Sequence, residues 1–191
     1  MEEVYIKDKT FNKTDYTQMP LPKGEYEYCS FNNCDFSNVH LANMQFAECE
    51  FISCNLSLAK LSQTAFRNIK FKDCKMLGLH FENCNPFGLA FSFDNCKLDH
   101  SSFYKLKLKK TSFKDSILQE VDFTECDLSS SVFDNCDLAK ATFDKTILEK
   151  ADFYTSYNYS IKPETNRIKK ARFSQSGIAG LFDKYDIDIR P

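Results

Sequence analysis

The sequence predicts an all-β solenoid, a four-sided β-helix of about eight coils that closes with a short C-terminal α-helix. Three periodicities predict it. A large apolar or aromatic residue recurs every fifth position, a small residue recurs two positions before it, and like residues repeat every twentieth position. From Phe11, steps of five meet Tyr16, Leu21, Tyr26, Phe31 and onward to Phe91, and only Pro86 breaks the run. From Phe93 a second run passes through Leu98 and Phe103 to Phe153. It lapses at Asn158 and Pro163 and resumes at Ile168, Phe173 and Ile178. Random placement of these residue types would fill roughly a third of the slots, so the column is not an accident of composition.

The small column holds all nine cysteines: Cys29, Cys34, Cys49, Cys54, Cys74, Cys84, Cys96, Cys126 and Cys136. Ala, Ser, Thr and Val occupy most of its other places, as at Ala59, Thr64, Thr111, Val121, Ser131, Ala141 and Ala151. The remaining three positions of each five are mostly polar. An inward pair every five residues matches neither the helical period of 3.6 nor the strand period of 2. A chain that turns by about 90° every five residues does produce it, and four turns close a coil. Coils stacked at about 4.8 Å would pair their backbones as strands do and superpose Phe113, Phe133 and Phe153.

These motifs resemble the pentapeptide-repeat family, whose pattern is a small residue, Asp or Asn, Leu or Phe, then two polar residues. Ala151–Phe153 (ADF), Cys126–Leu128 and Cys136–Leu138 (CDL) match it directly. The resemblance spans residues 11 to about 180 and implies a right-handed quadrilateral β-helix. Eight coils give a rod of roughly 40 Å.

The two runs differ in phase by two residues. The slip falls in 84–93, where Pro86, Phe87 and Gly88 suit a bulge, either a tolerated insertion or a re-aimed contact. Residues 1–10 are expected to cap the first coil, 11–175 to form the β-helix, and 176–191 to close the other end. Ile178, Leu181, Phe182 and Tyr185 follow helical spacing, with Ser176 as a candidate N-cap. Ile187 and Ile189 alternate with Asp186 and Asp188 as in a short strand. This apolar tail is either a simple cap or the contact of a twofold homodimer.

Several function classes have no support in the sequence. The net charge of -2 is neither the basic excess of a nucleic-acid binder nor an acidic extreme. No apolar stretch is long enough for a transmembrane helix, and the N-terminus lacks a signal-peptide pattern. Cysteines five apart fall on adjacent sides, unlike the converging knuckles of a zinc site, and read as reduced core residues, which places the protein in the cytoplasm. His40, His80 and His100 read as surface residues. No nucleotide-binding or zinc-protease motif occurs, and a filled interior leaves no substrate pocket. The expectation is therefore no enzyme, no metal and no cofactor.

The outside is left to act. Residues 121–160 carry eight acidic side chains against three basic ones: Asp122, Glu125, Asp127, Asp134, Asp137, Asp144, Glu149 and Asp152. Lys105–Lys110 and Arg167–Arg172 are basic runs. The acidic zone is either ordinary solvated surface or a binding stripe. Within the family, the chain resembles the Qnr-type branch in coil number, in its mid-chain Phe87–Leu89 segment and in its tail. That resemblance implies a DNA-mimicking homodimer that binds DNA gyrase or topoisomerase IV and is linked to quinolone resistance. The chain departs from that branch in lacking long inserted loops and in its mild net charge. The competing expectation is a scaffolding module with another protein partner.

Overall fold

The computed structural model describes residues 3–185, 187 and 188. Within them the chain winds as a parallel, right-handed four-sided β-helix of about eight coils. One side forms a nine-stranded parallel ladder from Thr10–Asn12 to Arg172–Phe173. A four-stranded ladder, Val4–Lys7, Gly24–Glu27, Gln45–Ala47 and Ala65–Arg67, forms part of another. The other two sides pair through single parallel bridges, such as Asp15–Asp35 and Ser102–Asp122. We name the sides after their inward residues in one coil: Phe113, Leu118, Phe123 and Leu128.

The register follows the large column. Phe31 pairs with Phe51 and Phe113 with Phe133, each twenty residues on. At the phase slip the offset becomes twenty-two, pairing Ile69 with Phe91 and Phe71 with Phe93. The extra residues are taken up between Asn85 and Ala90, where Gly88 turns the chain at φ +68°. Elsewhere one residue per corner adopts the left-handed conformation, as at Asn33, Asn38, Asn43, Lys105 and Lys110. Most of these are not glycine. Asn and Asp suit the conformation because their short polar side chains bond locally.

Stacking produces two kinds of order inside. On the Phe113 side a continuous aromatic column runs from Phe11 to Phe173, with parallel ring pairs such as Phe31–Phe51 at 4.7 Å and Phe133–Phe153 at 4.6 Å. It meets the column of the Phe123 side edge-on, as in Phe113–Phe123 at 5.9 Å and 83°. Offset stacking within a column and edge-to-face contact between columns are the favourable aromatic geometries.

The small column has a second duty. Its side chains donate to a carbonyl of the preceding coil: Thr64 to Leu41 at 2.8 Å, Ser131 to Leu108 at 2.7 Å, Cys54 to Phe31 at 3.2 Å and Cys74 to Phe51 at 3.3 Å. A position that admits only a small side chain and offers it a buried acceptor explains why Cys, Ser and Thr interchange there.

The C-terminal end differs from the sequence expectation. At the N-terminal end, Val4–Lys7 lies against the first coil as a strand. It is the outermost rung of its side, paired in register with Gly24–Glu27. At the other end the expected α-helix is two 3₁₀ turns, Ile178–Leu181 and Asp183–Tyr185. Its bonds run i→i+3, from the Phe182 N–H to Ala179 and the Tyr185 N–H to Phe182, while the Gly180 carbonyl accepts the Ile161 N–H at 2.9 Å and ties the segment to the last coil. Ser174 rather than Ser176 accepts the Gly177 N–H, at 3.0 Å. Ile187 lies outside regular structure and is exposed, so no strand includes it; Ile189 lies outside the described residues. The lapse in the column at Asn158 and Pro163 is filled by Tyr159 and Ile161, both buried.

Candidate interaction surface

The interior offers no site. Its side chains fill it from end to end, and all nine thiols are buried and unpaired. Burial pushes the Cys49, Cys126 and Cys136 thiols up to about 12, which keeps them protonated and unreactive. Hydrogen bonds to Cys54 and Cys96, together with burial, raise Cys74 as well. Among the described residues, no group of three or more His, Cys, Asp or Glu could hold a metal ion. His80 and His100 are exposed and sit beside Glu82 and Glu120 at 2.9 and 3.3 Å. No described helix is long and apolar enough to cross a membrane.

The outward side chains divide by position. The residue before each large one is often Asp or Asn, and its side chain accepts the N–H two residues on. Asp122 does so for Thr124 at 2.8 Å, Asp127 for Ser129 at 3.1 Å, Asp137 for Ala139 at 3.1 Å and Asp152 for Tyr154 at 3.0 Å. These are Asx turns that fix the corners. Burial alone would raise the Asp127 carboxyl, but bonds from Ser129 and Lys109 outweigh it and hold the group below its ordinary range. Asp137 is lowered likewise by Gln119, Asn158 and the Ala139 N–H.

The acidic zone is contiguous in sequence but not in space. Asp122 lies on the Phe123 side, Asp127 on the Leu128 side, Asp137 on the Leu118 side, and Asp134 and Asp152 on the Phe113 side. Glu125, Asp144 and Glu149 sit in the turns that leave their sides. A segment of forty residues makes two full circuits of the rod, so its charges surround it instead of forming one stripe. Many are also matched by a cation or amide one coil away: Lys105–Glu125 at 3.5 Å, Lys109–Asp127 at 3.2 Å, Arg167–Glu149 at 2.6 Å and Arg172–Asp152 at 2.7 Å. Thr155 reaches Asp134 at 2.8 Å. Exposed pairs of this kind add little stability, but they weaken the field that a charged partner would sense.

Two features stand out from this neutralised surface. The first is the insertion. Phe87 projects with 78% of its surface exposed, its N–H held by Asn85 at 2.9 Å, while Pro86 and Gly88 shape the turn on either side. The second is the C-terminal segment. Leu181 packs partly on the core, while Ile178, Phe182, Tyr185 and Ile187 remain exposed. The segment is seated by glycines, since a Cβ on Gly180 would lie 2.1 Å from the Tyr159 carbonyl oxygen. Glu164 clamps it through Lys184 at 2.7 Å and through the Tyr185 hydroxyl. Those two bonds lower the Glu164 carboxyl to about 2.

Comparison with known proteins agrees with this geometry. A family model described as a pentapeptide repeat region matches residues 25–92 and 89–173. No curated protein sequence matches. Among solved structures, the chain is similar to a trypsin-treated form of QnrB1, a plasmid-mediated fluoroquinolone resistance protein. The two share 15% identity and a TM-score of 0.60, covering 100% of both chains. Full-length QnrB1 aligns at 16% identity and a TM-score of 0.54 over 96% of this chain and 100% of that one. HetL, a pentapeptide repeat protein involved in heterocyst differentiation regulation in the cyanobacterium Nostoc sp. strain PCC 7120, aligns at 11% identity and a TM-score of 0.51 over 88% and 86% of the two chains. At these identities the likeness establishes the fold. The coverage of the family model and the coil-by-coil register together make this chain a member of the pentapeptide-repeat family.

Proposed function

We propose that this protein is a non-enzymatic cytoplasmic binder that acts through the outside of its rod, with a bacterial type II topoisomerase as its partner and quinolone protection as the consequence. The observation that carries the binding reading is the filled interior: the large side chains of the coils turn inward, which leaves the surface to act. The topoisomerase reading is supported by full-length likeness in fold to QnrB1 and by the Qnr-type pattern of the sequence. A homodimer joined by the exposed Ile178, Phe182, Tyr185 and Ile187 would bury apolar surface that is otherwise costly to leave in water. The test is a gyrase supercoiling assay with and without a quinolone, run beside sedimentation of the wild type and Phe182→Asp. Altered supercoiling or drug sensitivity, with a dimer that Phe182→Asp dissociates, is the expected result. An enzyme indifferent to the protein at every ratio would remove the topoisomerase reading.

The dispersal and pairing of the acidic residues favour a second reading. A rod with a weak, mixed field is a poor imitation of DNA and a reasonable scaffold for another protein. HetL shares this fold at similar coverage. A pull-down that returns a stoichiometric partner other than a topoisomerase supports this alternative.

A further inference from the structure

We propose that a break in the Leu128 side is a docking cleft for an acidic segment of a protein partner, with Phe87 as the apolar contact at its rim. The inference rests on the surface-binding reading above and specifies where, and with what chemistry, that binding occurs.

The break follows from the insertion. On three sides the ladder runs unbroken through this level: Phe71–Phe93–Phe113, Lys75–Lys97–Ile117 and His80–Ser102–Asp122. On the fourth, the ladder that begins at Val4–Lys7 stops at Ala65–Arg67, and pairing resumes only at Lys107–Asp127. The inserted residues fasten to the coil before them, through Asn85 N–H to Thr64 at 2.9 Å and Ala90 N–H to Phe66 at 3.0 Å. Among the described residues no backbone hydrogen bond joins 86–89 to 106–109. A cleft of about 250 Å³ lies in the gap, between Asn68, Leu89 and Phe91 on one side and Lys107, Lys109 and Lys110 on the other.

Its charge is one-signed. No carboxylate lines the cleft. Lys109 pairs with Asp127, but neither Lys107 nor Lys110 has a described carboxylate within 4 Å. Where a cation is matched, its carboxylate commonly lies one coil away, as at Lys70–Glu50 and Lys105–Glu125. The coil that would lie opposite Lys107 and Lys110 is replaced by the uncharged insertion Asn85–Ala90. The molecule therefore holds unmatched positive charge beside an opening that admits one or two side chains. Phe87, the most exposed large hydrophobic side chain among the described residues, stands at the same insertion. Lysines complementary to carboxylates steer and orient an acidic partner, and an aromatic beside them that can be desolvated supplies an apolar contact.

A fluorescein-labelled peptide of sequence Glu-Leu-Glu-Glu-Leu-Glu tests this by anisotropy and by amide shifts in the full-length protein. The expected shifts cluster at 87–92 and 107–112. Affinity falls about tenfold in Lys107→Gln/Lys110→Gln and about fivefold in Phe87→Ala. The melting temperature of each variant stays within about 2 °C of the wild type, since none of these side chains is buried. The cleft is overturned by shifts confined to Arg167–Arg172, by no saturable binding at millimolar peptide, or by equal binding to the lysine variant. It is also overturned if inorganic phosphate, a DNA duplex or phosphatidylglycerol vesicles show the lysine-dependent binding and the peptide does not. Failure of the topoisomerase reading is separable: peptide binding with an indifferent gyrase keeps the cleft and changes the partner. Gyrase inhibition that survives in the lysine variant, without peptide binding, removes the cleft alone.

Discussion

Replacing Phe113 by Ala tests the physical core of the structure, which is that stability comes from rings stacked between coils. Phe113 is fully buried. Its faces meet Phe93 at 5.1 Å and Phe133 at 4.8 Å, and its edges meet Phe103 at 6.0 Å and Phe123 at 5.9 Å. Truncating a core Phe costs about 3–5 kcal/mol. Neighbours this tightly registered leave little room for collapse, so the upper end applies, about 5 kcal/mol. Phe173, on the terminal rung, is only partly buried and stacks on one ring, Phe153 at 5.4 Å, with Tyr159 at 5.6 Å beside it. Its truncation should cost about 2 kcal/mol. The measurement is guanidinium unfolding followed by far-UV circular dichroism, comparing both variants with the wild type. Because each coil touches only its neighbours, Phe113→Ala should also weaken the coupling between the two halves and lower the slope of the transition. Equal costs for the two variants, or a loss below about 2 kcal/mol at Phe113, would refute the stacking argument.

Other consequences follow from particular contacts. Thiols held up to about 12 in the folded chain ionise near 8.5 when it unfolds, so the stability they contribute is complete at neutral pH and declines as pH rises from about 9 toward 12. Thermal melting at pH 7 and pH 10 should show this loss, and it should shrink in Cys136→Ser, since Ser131 and Ser156 already serve in the same column. Gly24→Ala would place a Cβ 1.9 Å from the Val4 carbonyl oxygen, so amide exchange should show Val4–Lys7 released while the remaining coils stay protected. Gly180→Ala, blocked by the Tyr159 carbonyl, should undock the C-terminal turns and abolish any dimer built on them, read by sedimentation. The Glu164 clamp is present above about pH 4.5 and is lost as the pH falls through about 2, so the protection factor of the Tyr185 amide should fall in acid before those of the coils.

Much of this molecule follows from a local rule repeated along one chain. Phe at every fifth place, with Cys or Ser two places earlier, dictates the side length, the inward faces and the coil-on-coil register. Each of these depends only on spacing along the chain and on the exclusion of large side chains from water. The phase slip was legible for the same reason, since two extra residues displace every later Phe by two. Tertiary structure decided what depends on which coil lies alongside which. It wrapped Asp122, Asp127, Asp134 and Asp137 around four different sides, set cations against many of the acidic residues, and spent several carboxylates on turns. It tied the Gly180 carbonyl to Ile161 and wound as 3₁₀ turns a segment whose spacing reads as α-helix. It also set Lys107 and Lys110 beside the uncharged insertion, with no described carboxylate within 4 Å. Charge and end-capping are contacts between residues about twenty apart, and a linear pattern carries no record of how such contacts are satisfied.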